Sequence, residues 1–276
     1  MSSVSPPRAE ERESLSDILT LENLDRDLLR APAHTDEPGR LYGGRVAAQA
    51  LLAAGGTVDP ERVPHSLHGY YIRGGDSARP TVFRVDRDRD GGSFSARRVV
   101  AIQNGEVIFS MSASFCRPGS GMDRQPDPVP DAEDPETLPP GQLPVLVSTD
   151  IRLPDQPWPG AALPTRFWAR CALDAPVSDA PGSPLLHACA LTYLSDMSTG
   201  LSGLHEGPWV PSPSLDHAVW FHRPIRLDDW VLVDLLPRSV ASGRGWYTGT
   251  IHSRDGLHGA SIAQESLFGR APGGRA

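Results

Sequence analysis

The run ASIAQESLFGR, Ala260 to Arg270, puts a carboxamide where a strand buries carbon. With a period of two, one face carries Ala260, Ile262, Gln264, Ser266 and Phe268, and the other Ser261, Ala263, Glu265 and Leu267. A buried amide without partners costs about 1–3 kcal/mol. Gln264 therefore either ties backbone groups together or belongs to a polar site. Two further groups have chemistry to offer. Asp196 ends the helix-like run PLLHACALTYLSD, at the border of a stripe of Leu186, Cys189, Ala190, Tyr193 and Leu194, with Gly200 soon after as a helix terminator. A carboxylate in a last turn faces the negative end of the helix dipole, which, like burial, raises its pKa and makes it a better base. The commoner fate of an aspartate there is an exposed loop. Ser214 follows the proline-rich run PWVPSPS and by itself reads as a turn or cap residue. Its neighbours Asp216 and His217 raise a Ser-His-Asp triad, but no G-x-S-x-G elbow exists in the chain, so that triad ranks below water activation.

Other patterns carry less. DRDRDGGSFSAR, from Asp86, begins like a calcium loop with Asp86, Asp88, Asp90 and Gly91, yet its twelfth position is Arg97 rather than glutamate, and strand-like runs flank it. It reads as a charged, solvated hairpin. The histidines show neither H-E-x-x-H nor paired zinc spacing, and His65 and His68 read as structural or pocket-lining. All 26 basic residues are arginine, so no Schiff-base or P-loop lysine exists. No metal or cofactor is expected.

The elements that must position these groups occur twice. GGRVAAQALLAA is helix-like, with Val46, Ala47, Ala50, Ala53 and Ala54 at helical spacing, and the strand-like runs HGYYIR, TVFRVDR, SFSARRVVAIQ and EVIFSMSASF follow. PLLHACALTYLSD is followed in the same way by HAVWFHR, WVLVDLL, GWYTGTIHS and GASIAQESLF. Each half carries a hairpin signal before its last strand, Asn104-Gly105 and Asp255-Gly256, 151 positions apart. On that offset Gln264 falls over Ala113, which stands in the apolar face of Val107, Phe109, Met111 and Phe115. One copy reads as structural and the other as holding a polar site. Residues 118–164, dense in proline and acid, read as a linker with little regular structure between an N-terminal unit, 1–117, and a C-terminal unit, 165–276. A helix with several antiparallel strands, occurring twice, is an α+β duplication whose sheets need cover.

The runs LYGGRVAAQALLAA, PHSLHGYYIRGGDSARP, DGGSFSARRVVAIQNGEVIFSMSASF, LTYLSDMS and SLDHAVWFHRPIRLDDW resemble the type II acyl-CoA thioesterases over nearly the whole chain. The resemblance implies a double hotdog fold, hydrolysis of fatty acyl-CoA, and a catalytic trio in the second half. Within the matching motifs those residues are Asp196 of the YLSD run, Ser214 of the (T/S)-x-(D/E)-H-x-x-W-F run, and Gln264 of the QE pair. Relatives often carry threonine at the position of Ser214; serine keeps the hydroxyl with a freer χ1. In the implied mechanism Asp196 deprotonates water, which Ser214 and Gln264 orient, and backbone N–H groups near a helix start or the Gln264 amide hold the oxyanion. A hotdog hydratase or dehydratase and a non-catalytic acyl-CoA binder are the competing classes. The hotdog resemblance also implies a dimer or tetramer.

Composition sets the outer bounds. Hydrophobic residues make up 39% and charged residues 22% of the 276, as in an ordinary globular chain. A net charge of −8 argues against nucleic acid as a partner. No apolar run is long enough to span a bilayer, and MSSVSPPRAEERES lacks the apolar core of a signal peptide. Cys116, Cys171 and Cys189 show no CxxC spacing. They fit small core residues in a reducing compartment, and the expected location is the cytoplasm.

Overall fold

Buried and exposed side chains alternate along the strand-like runs, and both central helices are buried around most of their circumference. The computed structural model describes residues 14–33, 39–119, 121–143, 146, 148–173, 183–197, 199–204 and 209–270. Apart from Ser14, the N-terminal stretch read above for a signal peptide lies outside these residues. In the first half a short helix, α1 (Leu15–Ile18), and two short strands, β1 (Glu22–Asp25) and β2 (Leu28–Ala31), precede the central helix α2 (Gly43–Gly55). Four long strands follow: β3 (Val63–Tyr71), β4 (Thr81–Asp90), β5 (Phe94–Gln103) and β6 (Glu106–Cys116). The second half contains β9 (Arg166–Cys171), α3 (Ser183–Ser195), β10 (Trp209–Ser214), β11 (Asp216–Phe221), β12 (Val231–Ala241), β13 (Arg244–Ser253) and β14 (His258–Arg270). Between the halves stand a 3-10 turn (Pro135–Thr137) and two short strands, β7 (Pro140–Gly141) and β8 (Thr149–Arg152). No helix among the described residues is long and apolar enough to cross a membrane.

One antiparallel sheet runs through both halves in the order β1-β2-β4-β5-β6-β3-β11-β14-β13-β12-β9-β8-β7, with β10 also on β14. The order β4-β5-β6-β3 is mirrored as β11-β14-β13-β12, so the β3–β11 pair is the seam of a pseudo-two-fold. Each half-sheet curls around its own helix, which makes the molecule a double hotdog. The two helices lie antiparallel: the Tyr42 hydroxyl before α2 donates to the Tyr193 carbonyl near the end of α3 (2.8 Å), while Gly55 meets Leu185 at the other end. Packing on a sheet and on a second helix explains why α3 is buried from His187 through Ser195.

The face of β14 that carries Gln264 is inward, with Ala260, Ile262, Ser266 and Phe268 buried beside it. Ala113 and its neighbours line the corresponding face of β6. Asn104 and Gly105 both take positive φ (50° and 79°), as a two-residue hairpin requires. The second turn is wider, spanning the four residues between β13 and β14, with only Gly256 left-handed (φ 90°). Gly200 does not terminate α3, which ends at Ser195; it stands in a 3-10 helix, Thr199–Leu204, pressed on the Tyr247 ring where a Cβ would collide. The run from Asp86 closes the β4–β5 hairpin, where Asp90 accepts from Ser95 Oγ (2.6 Å) and from Arg97 (2.7 Å). In the segment between the halves, β8 pairs with β9, and Ala132 and Leu138 pack on Trp168, Trp230 and Leu232.

Candidate active site

Asp196 is the first residue beyond α3, and only 4% of it is exposed. Gln264 reaches it from the inner face of β14, its Nε2 donating to Asp196 Oδ1 at 2.7 Å and also to Ser214 Oγ. Ser214 arrives through a kink. β10 and β11 run along β14 in succession, and the register slips between Pro211 and Ser214, which ends β10 with its hydroxyl turned inward. Ser214 Oγ donates to the same carboxylate oxygen at 3.2 Å. Carboxyl, hydroxyl and amide thus close a triangle of hydrogen bonds, although 18 and 50 positions separate successive members.

Burial is the main influence on Asp196 and pushes its carboxyl up to about 6. Hydrogen bonds from Gln264 and Ser214 and from the Gly44 backbone N–H act the other way. The Tyr71 hydroxyl meets no strict hydrogen-bond geometry, yet it lies close enough to favour the carboxylate as well. Burial and the Asp196 charge hold the Tyr42 and Tyr71 phenols far above their ordinary range, so both stay neutral.

Gly43, Gly44, Tyr42 and Tyr71 belong to the first half. α2 begins without a side-chain cap at Tyr42, and its Gly44 N–H points at the carboxyl of the second half. Asp196 therefore takes the place that a capping side chain usually fills, and the positive end of α2 opposes the negative end of α3. The approach demands glycine: a Cβ on Gly43 would overlap Asp196 Oδ2 and the Tyr71 ring. Sequence reading supplied the α3 dipole but missed this second one. The adjacent glycines opening a helix-like run were its only trace.

The Ser-His-Asp arrangement does not form. Asp216 points to the other face, where it accepts from the Glu265 backbone N–H (2.7 Å). His217 points inward, with Nδ1 2.5 Å from Gln264 Oε1 and Nε2 2.7 Å from Ser195 Oγ. His65 bonds Ser114 Oγ (2.7 Å) and borders an open groove of about 580 Å³ beside the start of α3. His68 stands edge-on to Trp220 on the outer sheet face. Neither makes a hydrogen bond to the triangle.

Among its described residues the first half holds no such site. By strand register, Pro64 corresponds to Ser214 and Ala113 to Gln264, and Gly56 follows α2 as Asp196 follows α3. A buried, oriented carboxylate near neutrality can take a proton from water, and the remaining N–H groups of a helix's first turn can hold an oxyanion.

Comparison with known proteins points the same way. An acyl-CoA thioesterase N-terminal domain matches residues 31–116, and an acyl-CoA thioesterase C-terminal domain matches residues 124–268. Human acyl-coenzyme A thioesterase 8 is 30% identical over 91% of this chain and 87% of its own length. Acyl-CoA thioesterase 2 of Haemophilus influenzae is 30% identical over 92% of this chain and 96% of its own. Among solved structures, the acyl-CoA thioesterase II TesB2 of Mycobacterium marinum is 39% identical, with a TM-score of 0.78 over 95% of this chain and 99% of that one.

Proposed function

Because the chain belongs to the acyl-CoA thioesterase II (TesB-like) family and is a thioester hydrolase, we propose that it cleaves fatty acyl-CoA to fatty acid and CoA by direct attack of water. The observation that supports the reading is the closed triangle of Asp196, Ser214 and Gln264 around a carboxyl raised to about 6. Asp196 accepts the proton as water adds to the thioester carbonyl. Gln264 and Ser214 fix the carboxylate through Oδ1, and the rotatable Ser214 hydroxyl turns to the incoming water. The first-turn N–H groups of α2 other than the Gly44 N–H that Asp196 takes receive the oxyanion of the tetrahedral intermediate, where one such donor contributes about 10²–10³-fold. Collapse expels CoA as thiolate, a leaving group good enough to need no dedicated acid. Asp196 then returns its proton.

The same proposal takes 1–117 and 165–276 as the two units and 118–164 as their linker. It also takes the protein as a cytoplasmic dimer or tetramer, which sedimentation would read directly. Purified protein should release thiol from a panel of acyl-CoA substrates, and Asp196→Asn should abolish most of that release. Conversion of enoyl-CoA without thiol release would favour a hydratase. Ligand-dependent melting without turnover would favour a binding protein. An acyl group trapped on Ser214 would replace the water mechanism with a covalent one.

A further inference from the structure

The triangle depends on which way round the Gln264 carboxamide sits. Its two ends are nearly identical in shape. Turned over, it would point a carbonyl oxygen at the Asp196 carboxylate and lose both donor bonds. Something on its far side must select the productive orientation.

His217 is the group that meets Oε1, through Nδ1 at 2.5 Å. An amide oxygen only accepts, so Nδ1 must carry a proton. The ring is buried among neutral groups, and burial depresses its pKa to about 4, so it carries one proton rather than two. Nε2 lies 2.7 Å from Ser195 Oγ, whose one proton also has the Thr192 carbonyl within reach at 2.9 Å. Ser195 is the last residue of α3, beside Asp196 itself. The chain of donors runs from His217 to Gln264, and from Gln264 to Asp196 and Ser214. Leu67 packs beside Ala113 in the first half, where His217 lies beside Gln264 in the second. The repeat has a ring donor only where it has an amide to orient.

We propose that His217 is a positioning residue: in its Nδ1–H form, with its other nitrogen against Ser195, it locks the Gln264 amide so that both N–H bonds face Asp196 and Ser214. The inference rests on the catalytic reading of that trio. It separates His217 from a Ser-His-Asp role, because the ring's two nitrogens are both occupied away from Ser214.

Loss of the lock lets the amide turn and strips a donor from Asp196, so its carboxyl titrates higher. The other titratable groups that act on the site are Tyr42 and Tyr71 from the first half, and Tyr193, Tyr247 and, from the outer face, Asp216 from the second. Tyr42 and Tyr71 stay neutral through the range in question. His217→Phe keeps the ring's bulk without the donor. It should lower kcat about 10- to 100-fold, the cost of a misplaced catalytic group, with little change in KM. The acid limb of the kcat/KM profile should move to higher pH, and His217→Gln should recover part of both effects. In a Gln264→Ala background, His217→Phe should add no further loss. A variant that loses only melting temperature, or a loss additive with Gln264→Ala while Asp196→Asn stays inactive, would overturn the positioning role and leave the trio standing. An active Asp196→Asn would instead sink the trio. Nitrogen NMR of wild-type histidines tests the lock without any substitution: the Nδ1–H tautomer is expected for His217, and the Nε2–H tautomer or an imidazolium would refute it.

Discussion

Arg97 and Tyr247 stand at the same point of the two halves, Arg97 paired with Ala113 across β5–β6 and Tyr247 paired with Gln264 across β13–β14. In the first half the guanidinium is almost wholly buried, donating to Thr57 Oγ1 and carbonyl, to the Arg89 and Ala96 carbonyls and to Asp90. It is fixed beyond the end of α2, in the region that corresponds to the site beyond the end of α3. One repeat is plugged by a saturated cation, while the other keeps an ionisable carboxyl among neutral groups.

Arg97→Met should therefore destabilise the fold by about 3 kcal/mol, because buried carbonyl acceptors lose their donor. The specific activity of the folded fraction should stay within about twofold, since the change lies in the other repeat. Denaturant melts combined with active-site-normalised rates decide this. A collapse of specific activity would tie the two repeats more closely than their register requires.

The hydrolysis rate should fall on the acid side of about pH 6, where Asp196 gains its proton. The profile to measure is kcat/KM, which reports the free enzyme. A profile flat from pH 5 to 8 would exclude this carboxyl as the base.

Asp196→Asn should cut kcat by about 10²–10⁴-fold and yet raise the melting temperature at pH 8. The folded carboxyl titrates near 6, above its unfolded value of 3.8, so the native state holds the proton more tightly. Stability from this group is therefore highest below pH 4 and is lost as pH rises through 6, a penalty of about 3 kcal/mol at most. The gain on substitution should vanish in melts at pH 4. An equal gain at both pH values would mean that packing, not charge, is responsible.

Gly43→Ala should cost about 10²-fold in rate, because the new methyl must displace Asp196 Oδ2 or the Tyr71 ring. Folding should survive, since alanine suits a helix start. Near-wild-type turnover would show that the carboxyl has room to move without penalty.

Much of this site was legible in the chain because a strand's period of two is rigid. Gln264 could be assigned inward from its neighbours alone, and the 151-residue offset exposed Ala113 as its apolar counterpart. The family motifs supplied Asp196 and Ser214. The start of α2 could not be read in the same way, since its approach to Asp196 depends on two helices packing antiparallel, and nothing local encodes that. The role of Arg97 was likewise hidden: it was noticed only as the residue that spoils a calcium loop. His217 enters the sequence reading only through a Ser-His-Asp triad with Asp216 that ranks below water activation, and adjacent strand residues do face opposite ways. The Ser242–Gly243 turn, with φ of 50° and 73°, joins β12 and β13 as tightly as Asn104–Gly105 joins β5 and β6, though its residues signal less strongly.

The seam at β3 and β11 has a consequence for how such a duplicated chain can change. The described residues of the N-terminal repeat hold no triangle of their own, but they lend glycines and a phenol to the carboxyl of the sister repeat. A protein trimmed to residues 165–276 would keep every member of the trio and lose their surroundings. Redundancy after copying normally frees one copy to decay; here the copy without the trio is held in place by what it supplies to its neighbour.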